Sequence, residues 1–231
     1  VTQLGRVHSE LTRDEARAET CLVDGLAIAR AAGDLRGEGF ALFALGAHEM
    51  AFGHLHEARA TLRDAARALR EAGTPRYEAW SLGFLGITHA LAGEWTDAKA
   101  ALDDAITLLR DVADIPREAH LLAFRGAVLA RMGDLPAAAS SFERATAICP
   151  AMSRYHGWTL ALCRAQMDVA SGDLAGAGAL LAEAGWPRGD EPREARVWPW
   201  GAEFFEPRLA AKLLDAALRD REEPRGKLVV A

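Results

Sequence analysis

A period of 40 residues runs through the chain, and it constrains the fold more than any other feature. Gly46, Gly86 and Gly126 fall in register, as do Leu42, Leu82 and Leu122, and Glu38, Glu78 and Glu118. Seven residues after each of those glycines stands another, at Gly53, Gly93 and Gly133, and five further on an alanine, at Ala58, Ala98 and Ala138. Leu62, Leu102 and Phe142 follow, then Ala65, Ala105 and Ala145. A fourth copy, one residue shorter, carries Ala165, Gly172, Ala177, Leu181 and Ala184. A period of this size excludes most compact folds. It signals stacked units, none of which can bury its apolar face alone.

The spacing inside each copy is helical. Leu42, Leu45 and Gly46 share one face at i, i+3 and i+4. A mid-helix glycine costs roughly 0.5–1 kcal/mol relative to alanine, so Gly46, Gly86 and Gly126 predict close approach of a neighbouring helix. Gly53, Gly93, Gly133 and Gly172 stand where a first helix should stop, and glycine there adopts the left-handed cap conformation. Glu94, Asp134 and Asp173 are placed to help start a second helix. That helix carries Ala58, Leu62 and Ala65 on a single face. Each copy is therefore expected to be a helical hairpin that stacks on the next.

Gly46-Gly53-Ala58-Leu62-Ala65 resembles the tetratricopeptide repeat, in which a small residue of helix A is followed by glycine and then by alanine, a large apolar residue and alanine of helix B. The next two copies match at the same spacing. The large aromatic early in helix A is replaced by leucine, the proline that closes helix B is missing, and the period exceeds the usual ~34 residues. Long repeats of this kind, with phrases such as Ala32-Gly33-Asp34-Leu35-Arg36-Gly37-Glu38, resemble the sensor arms of large bacterial signal-transduction ATPases and maltose-regulator-type transcription activators. The resemblance implies an all-α fold: a right-handed superhelix of antiparallel helix hairpins.

Taken in order, residues 1–185 hold about five repeats, the first of them partial. Its second helix is expected over 14–32, and the later copies over 35–72, 76–113, 117–149 and 153–184. Gly73-Thr74-Pro75, Asp114-Ile115-Pro116 and Pro150 are expected to stop helices, because proline removes a donor and clashes with the preceding turn. The chain opens at Val1, inside a repeat, which fits either further sequence upstream or an ordinary capping repeat. Residues 186–221 are expected to form an aromatic and proline-rich segment followed by a terminal capping helix, and 222–231 a flexible tail. The segment at 186–205, with Trp198, Trp200, Phe204 and Phe205, reads as a cap over the last repeat or as a lid across the groove.

Composition limits the function classes. The net charge is −6 over 231 residues, which argues against direct nucleic-acid binding, since that needs a basic surface. No apolar run approaches the ~18 residues of a membrane span, and no signal peptide is evident. Cys21, Cys149 and Cys163 lack metal-ligand spacing, and an odd count does not suggest a disulfide framework. Reduced, buried thiols in a cytoplasmic protein are expected. The abundance of alanine, arginine and glycine suggests a bacterial source.

Curved stacks of hairpins line their concave side with helix A. The resemblance places Phe40, Phe43, Ala47 and Met50 there, then Trp80, Gly83, Ile87 and Ala90, then His120, Ala123, Ala127 and Ala130, then Thr159, Leu162 and Gln166. This groove is apolar and lacks the Lys/Asn set with which some family members clamp a peptide carboxylate. It suits an apolar helix, a small apolar ligand or an adjacent domain of the same protein. Alternatively, Phe40, Phe43 and Trp80 pack between neighbouring helices. Arg125 and Arg164 occupy one register position, where earlier copies have Leu45 and Leu85. They are placed to bind a carboxylate or phosphate, or to pair with acids such as Asp168. His48-Glu49 and His54-x-His56 are the nearest thing to a metal set, and turn histidines are usually just solvated. No cofactor is expected. Phosphate-loop, nucleophile-elbow and metalloprotease motifs are absent, and Asp103-Asp104 reads as solvated charge.

The expected function is a non-enzymatic interaction domain, the regulatory arm of a larger bacterial signalling or transcription regulator, binding a protein or peptide segment in its groove. The alternatives are a free-standing adaptor for a partner protein and an enzyme-associated substrate-handling domain.

Overall fold

The computed structural model describes residues 15–148, 154–184, 214–215 and 217–219. Nine helices are complete among them: α1 (Glu15–Ala31), α2 (Leu35–Phe52), α3 (Leu55–Glu71), α4 (Pro75–Leu91), α5 (Trp95–Asp111), α6 (Ile115–Arg131), α7 (Leu135–Ile148), α8 (Arg154–Ser171) and α9 (Leu174–Glu183). No strand occurs among the described residues. None of the described helices is long and apolar enough to cross a membrane. The segment at 186–205 lies outside the described residues.

Hairpins form in sequence order, α2 with α3, α4 with α5, α6 with α7 and α8 with α9. Glycine makes each pairing close. A β-carbon built on Gly46 would lie 2.7 Å from Leu62 Cγ, one on Gly86 2.7 Å from Leu102 Cγ, and one on Gly126 2.6 Å from the Phe142 ring. Leu62 and Leu102 are 0% exposed and Phe142 2%. Each such side chain contributes about 1.5–3 kcal/mol by leaving water. The tight turns follow from the second glycine set: Gly53, Gly93, Gly133 and Gly172 have φ of 93°, 78°, 84° and 97°. Between hairpins, Gly33 and Gly73 do the same at 63° and 66°, while Ala113, the next in that register, is held at φ 53°.

Helix starts follow local chemistry, with two departures from expectation. Asp34, Asp134 and Asp173 accept hydrogen bonds from the backbone N–H of Gly37, Ala137 and Gly176 at 2.9, 3.1 and 2.8 Å. Glu94 makes no such cap; its carboxylate is taken by Arg59 and His89. Pro75 and Pro116 do not close the preceding helices but sit in the first turns of α4 and α6. A missing N–H there is harmless, and the fixed φ suits the helix start.

An ion pair recurs at the same period. Arg30 meets Glu38 at 2.8 Å, Arg70 meets Glu78 at 2.7 Å and Arg110 meets Glu118 at 3.2 Å. Each ties the last turn of one outer helix to the first turn of the next inner helix. Arg144 of α7 also reaches Glu118, at 3.3 Å.

The stack is curved. Helices α2, α4, α6 and α8 contact successive members of their own set, whereas α3, α5 and α7 make no comparable contact with one another. The first set therefore lies on the shorter, inner arc of a right-handed superhelix, and the second set on the outer arc. The final junction is asymmetric, since α8 packs chiefly against α6 and only lightly against α7. Trp158 Nε1 donates to the Ala184 carbonyl at 2.9 Å and closes the last pair. Leu214 and Ala217 are buried in the same core.

Candidate functional site

The inner arc carries a line of aromatic contacts across three helices. Phe40 of α2 meets Tyr77 of α4 edge-on, with ring centroids 4.4 Å apart. Phe43 meets Phe84 at 5.0 Å, Phe84 meets Trp80 at 5.2 Å, and Trp80 faces His120 of α6 at 6.4 Å. The 40-residue register causes this, because Phe40, Trp80 and His120 occupy the same turn of successive inner helices. Edge-to-face aromatic pairs add about 0.5–1.5 kcal/mol beyond burial. Arg36 lies over Phe40 at 5.6 Å and Arg117 over Trp80 at 5.3 Å.

Exposure divides the expected groove residues. Met50 is 0% exposed, Ile87 1%, His120 4% and Trp80 8%. They lie in the packed layer, and Thr88 Oγ1 donates to Met50 Sδ at 3.1 Å across α4 and α2. Ala123, Ala127, Ala130, Thr159, Leu162 and Gln166 are buried too. Phe40, Phe43 and Ala47 remain partly exposed. Of the apolar residues expected in the groove, those that keep accessible surface are therefore on α2, with partly exposed Tyr77 beside them at the start of α4. Periodicity alone shows which face a residue occupies, not whether that face is open.

Arg125 and Arg164 have different surroundings. The Arg125 Nε donates to Asp103 Oδ1 at 2.5 Å and its Nη1 to Ser141 Oγ at 2.7 Å, linking α6 to both α5 and α7. Burial pushes the Asp103 carboxyl up, but Lys99 and Arg125 outweigh it and hold the group below its ordinary range. Arg164 is exposed. Its charge favours ionised Asp168, although burial and the nearby Asp173 leave that carboxyl above its ordinary value.

The histidines assemble differently from the His48–His56 set. His48 is buried and packs on Phe52 with centroids 4.7 Å apart, while His54 and His56 are exposed around the start of α3. The described residues that do come within metal-ligand reach of one another are His89, Glu94 and Asp97, their ligand atoms all within 4.8 Å. Glu94 receives Arg59 and faces His89 Nδ1 at 2.5 Å. These two hydrogen bonds pull its carboxyl from 4.5 down to about 2. Arg59 already supplies the cation that this carboxylate requires, so the cluster is an ion-pair network joining α3 to the α4–α5 turn. Cys163 is fully buried, which pushes its thiol far up and keeps it unreactive. Cys21 is partly exposed, and Cys149 lies outside the described residues.

Sequence reasoning had singled out Glu38, Glu78 and Glu118 but missed their partners. Arg30, Arg70 and Arg110 repeat at the same period and were available as a signal.

Comparison with known proteins agrees with this architecture. A family model described as tetratricopeptide repeat matches residues 77–151, the stretch that holds α4 to α7. A search of curated protein sequences finds no match. Among solved structures, nearly identical TPR-like repeats from a Podosopora anserina kinesin light chain superpose with a TM-score of 0.62. The superposition covers 79% of this chain and 90% of that one, at 16% sequence identity. At that identity the likeness is one of fold, and the fold of this chain is a TPR-like α-solenoid.

Proposed function

We propose that the chain is a non-enzymatic, protein-binding scaffold that recognises an apolar segment of a partner on the inner face of α2. The observation that carries this reading is the partial exposure of Phe40 and Phe43 beside Tyr77, on an inner arc whose corresponding apolar residues in later repeats are buried. A partly exposed aromatic edge flanked by Arg36 offers an amphipathic partner helix both an apolar anchor and a charge. The TPR-like fold supports a scaffold role. Within it we place the chain as the regulatory arm of a larger bacterial signalling or transcription regulator that works in the cytoplasm. In that setting, occupation of the inner face alters contacts with the rest of the protein.

Site-specific photo-crosslinking in the full-length protein tests this. A crosslinker replacing Phe43 should capture a defined protein segment, one at the exposed outer-face Arg63 should not, and Phe40→Ala should weaken capture. Equal capture from both positions, or none from Phe43, would sink the proposal. Mapping the captured peptide separates an adjacent domain from an independent partner.

A further inference from the structure

The outer arc holds a cavity of about 440 Å³ between α5, α6 and α7, lined in part by Thr107, Arg110, Arg125, Ser140, Ser141 and Arg144. Three guanidinium groups reach it from three different helices. Arg125 is held from below by Asp103 and Ser141. Arg110 and Arg144 converge on one oxygen of buried Glu118, at 3.2 and 3.3 Å, and both remain about half exposed. Lys99 joins Asp103 at 2.7 Å. Four cationic side chains thus share two carboxylates, on a chain whose formal charge is −6.

The repeat provides an internal comparison. One period earlier, the places of Arg125, Ser141 and Arg144 are taken by Leu85, Ala101 and Asp104. Leu85 is 6% exposed and fills its position with apolar packing. At this junction the leucine becomes a guanidinium, the alanine a hydroxyl and the acid a second guanidinium. These three changes add positive charge or a polar group, while Asp103 and Thr107 replace Arg63 and Arg67, so the formal charge of the lining rises from +1 to +2. The new Asp103 carboxylate accounts for one guanidinium, that of Arg125, while Arg110 and Arg144 share the single carboxylate of Glu118.

We propose that this cavity is a phosphate-binding site. The Thr107 and Ser141 hydroxyls already donate to the Asp103 and Ala137 carbonyls, so the recognition rests on guanidinium forks arriving from three helices, which match a tetrahedral group whose oxygens accept on several sides; a single carboxylate offers fewer acceptors. Asp103 and Glu118 keep the arginines extended before the ligand arrives, which lowers the ordering cost of binding. The site is separate from the inner face of α2 and stands or falls independently of it.

Isothermal titration and thermal melting of the full chain test the assignment, with inorganic phosphate, a short phosphoserine peptide and acetate at matched ionic strength. Phosphate and the phosphopeptide should raise the melting point, and acetate should not. Arg125→Leu restores the residue of the earlier copies and should leave the fold intact by circular dichroism while weakening phosphate binding about tenfold or more. Arg144→Gln changes a half-exposed side chain and leaves Arg110 on Glu118; it should weaken phosphate binding too, so the proposal remains testable if the leucine variant misfolds. Tighter binding of the phosphopeptide assigns the group to a phosphorylated partner chain, and tighter binding of inorganic phosphate assigns it to a free ion. Absence of a phosphate-specific shift in the wild type overturns the proposal, as does unchanged affinity in the folded variants.

Discussion

Gly86 and Leu102 are in such close contact that a β-carbon on the glycine would lie 2.7 Å from Leu102 Cγ and 3.0 Å from the Ala98 carbonyl oxygen. One contact is backbone and the other is the branch point of a fully buried leucine, so neither gives way by swinging a flexible side-chain tip. Gly86→Ala should therefore destabilise the protein even though alanine is the better helix former. Overpacking costs about 1–3 kcal/mol and the propensity gain returns about 0.5–1, leaving a net loss of about 1 kcal/mol. Urea unfolding checks the sign. Leu102→Ala combined with Gly86→Ala should cost less than the sum of the two single changes, because the smaller side chain makes room for the new methyl group. Additivity would mean that the close approach is not what the glycine serves.

Ala113 presents the opposite case. It sits at φ 53° where its register partners are Gly33 and Gly73. Left-handed backbone costs a non-glycine residue about 1–2 kcal/mol, partly offset by the about 0.4–1 kcal/mol that glycine's looser unfolded chain returns. Ala113→Gly should stabilise by up to about 1 kcal/mol and raise the melting point. A lower melting point would show that Ala113 makes a contact worth more than its strain.

The Arg30–Glu38, Arg70–Glu78 and Arg110–Glu118 pairs share one geometry but differ in burial. The glutamate side chains are 23%, 7% and 8% exposed. Exposed ion pairs contribute about 0.2–1 kcal/mol. Double-mutant cycles should give a coupling near the bottom of that range for Arg30–Glu38 and about 1 kcal/mol for Arg110–Glu118. Glu118→Ala should cost more than Glu38→Ala, since it also strands Arg144. Equal couplings would show that burial of the carboxylate does not set the strength of these junctions.

Much of the architecture was legible because it is written in small residues. Gly46, Gly86 and Gly126 predicted close helix approach, and Leu62, Leu102 and Phe142 are the side chains that fill it. The breaks fall where Pro75 and Pro116 predict them, but these prolines open the following helix rather than close the preceding one, a choice that only the flanking cap residues decide. The inner face was legible as a face, but Trp80, Ile87 and His120 have the same spacing whether they line a groove or a core. Arg125 stood out because it breaks the period. Its partners Asp103 and Ser141 come from two other helices, so no spacing in the sequence brings them together.

Glu94 should give the protein an acid-sensitive link. Its carboxyl falls from 4.5 to about 2 because Arg59 and His89 bond its charged form. A depressed folded-state value means that the stabilisation is fully present above about pH 4.5 and is lost as pH falls through about 2. Carbon-detected NMR titration should place the Glu94 midpoint well below those of other glutamates. Glu94→Gln should lower stability at neutral pH and flatten its decline between those two values. A Glu94 midpoint near 4.5 would show that the Arg59 and His89 bonds do not persist in solution.

Gln166 offers the last test, on α8, where the register partners are Ile87 and Ala127. It is 1% exposed, and neither Oε1 nor Nε2 of its amide has a hydrogen-bond partner among the described residues. A buried polar group left unsatisfied costs about 1–3 kcal/mol, and leucine at this position supplies similar volume without that penalty. Gln166→Leu should therefore stabilise the isolated chain by about 1 kcal/mol or more. If the inner arc must hold a polar partner group at this turn, the same change should weaken the crosslink formed from Phe43 while raising the melting point. A stabilised variant with undiminished capture would confine recognition to α2 and the start of α4. A destabilised variant would mean that the amide is hydrogen-bonded in solution, through an ordered water or a small shift of α8.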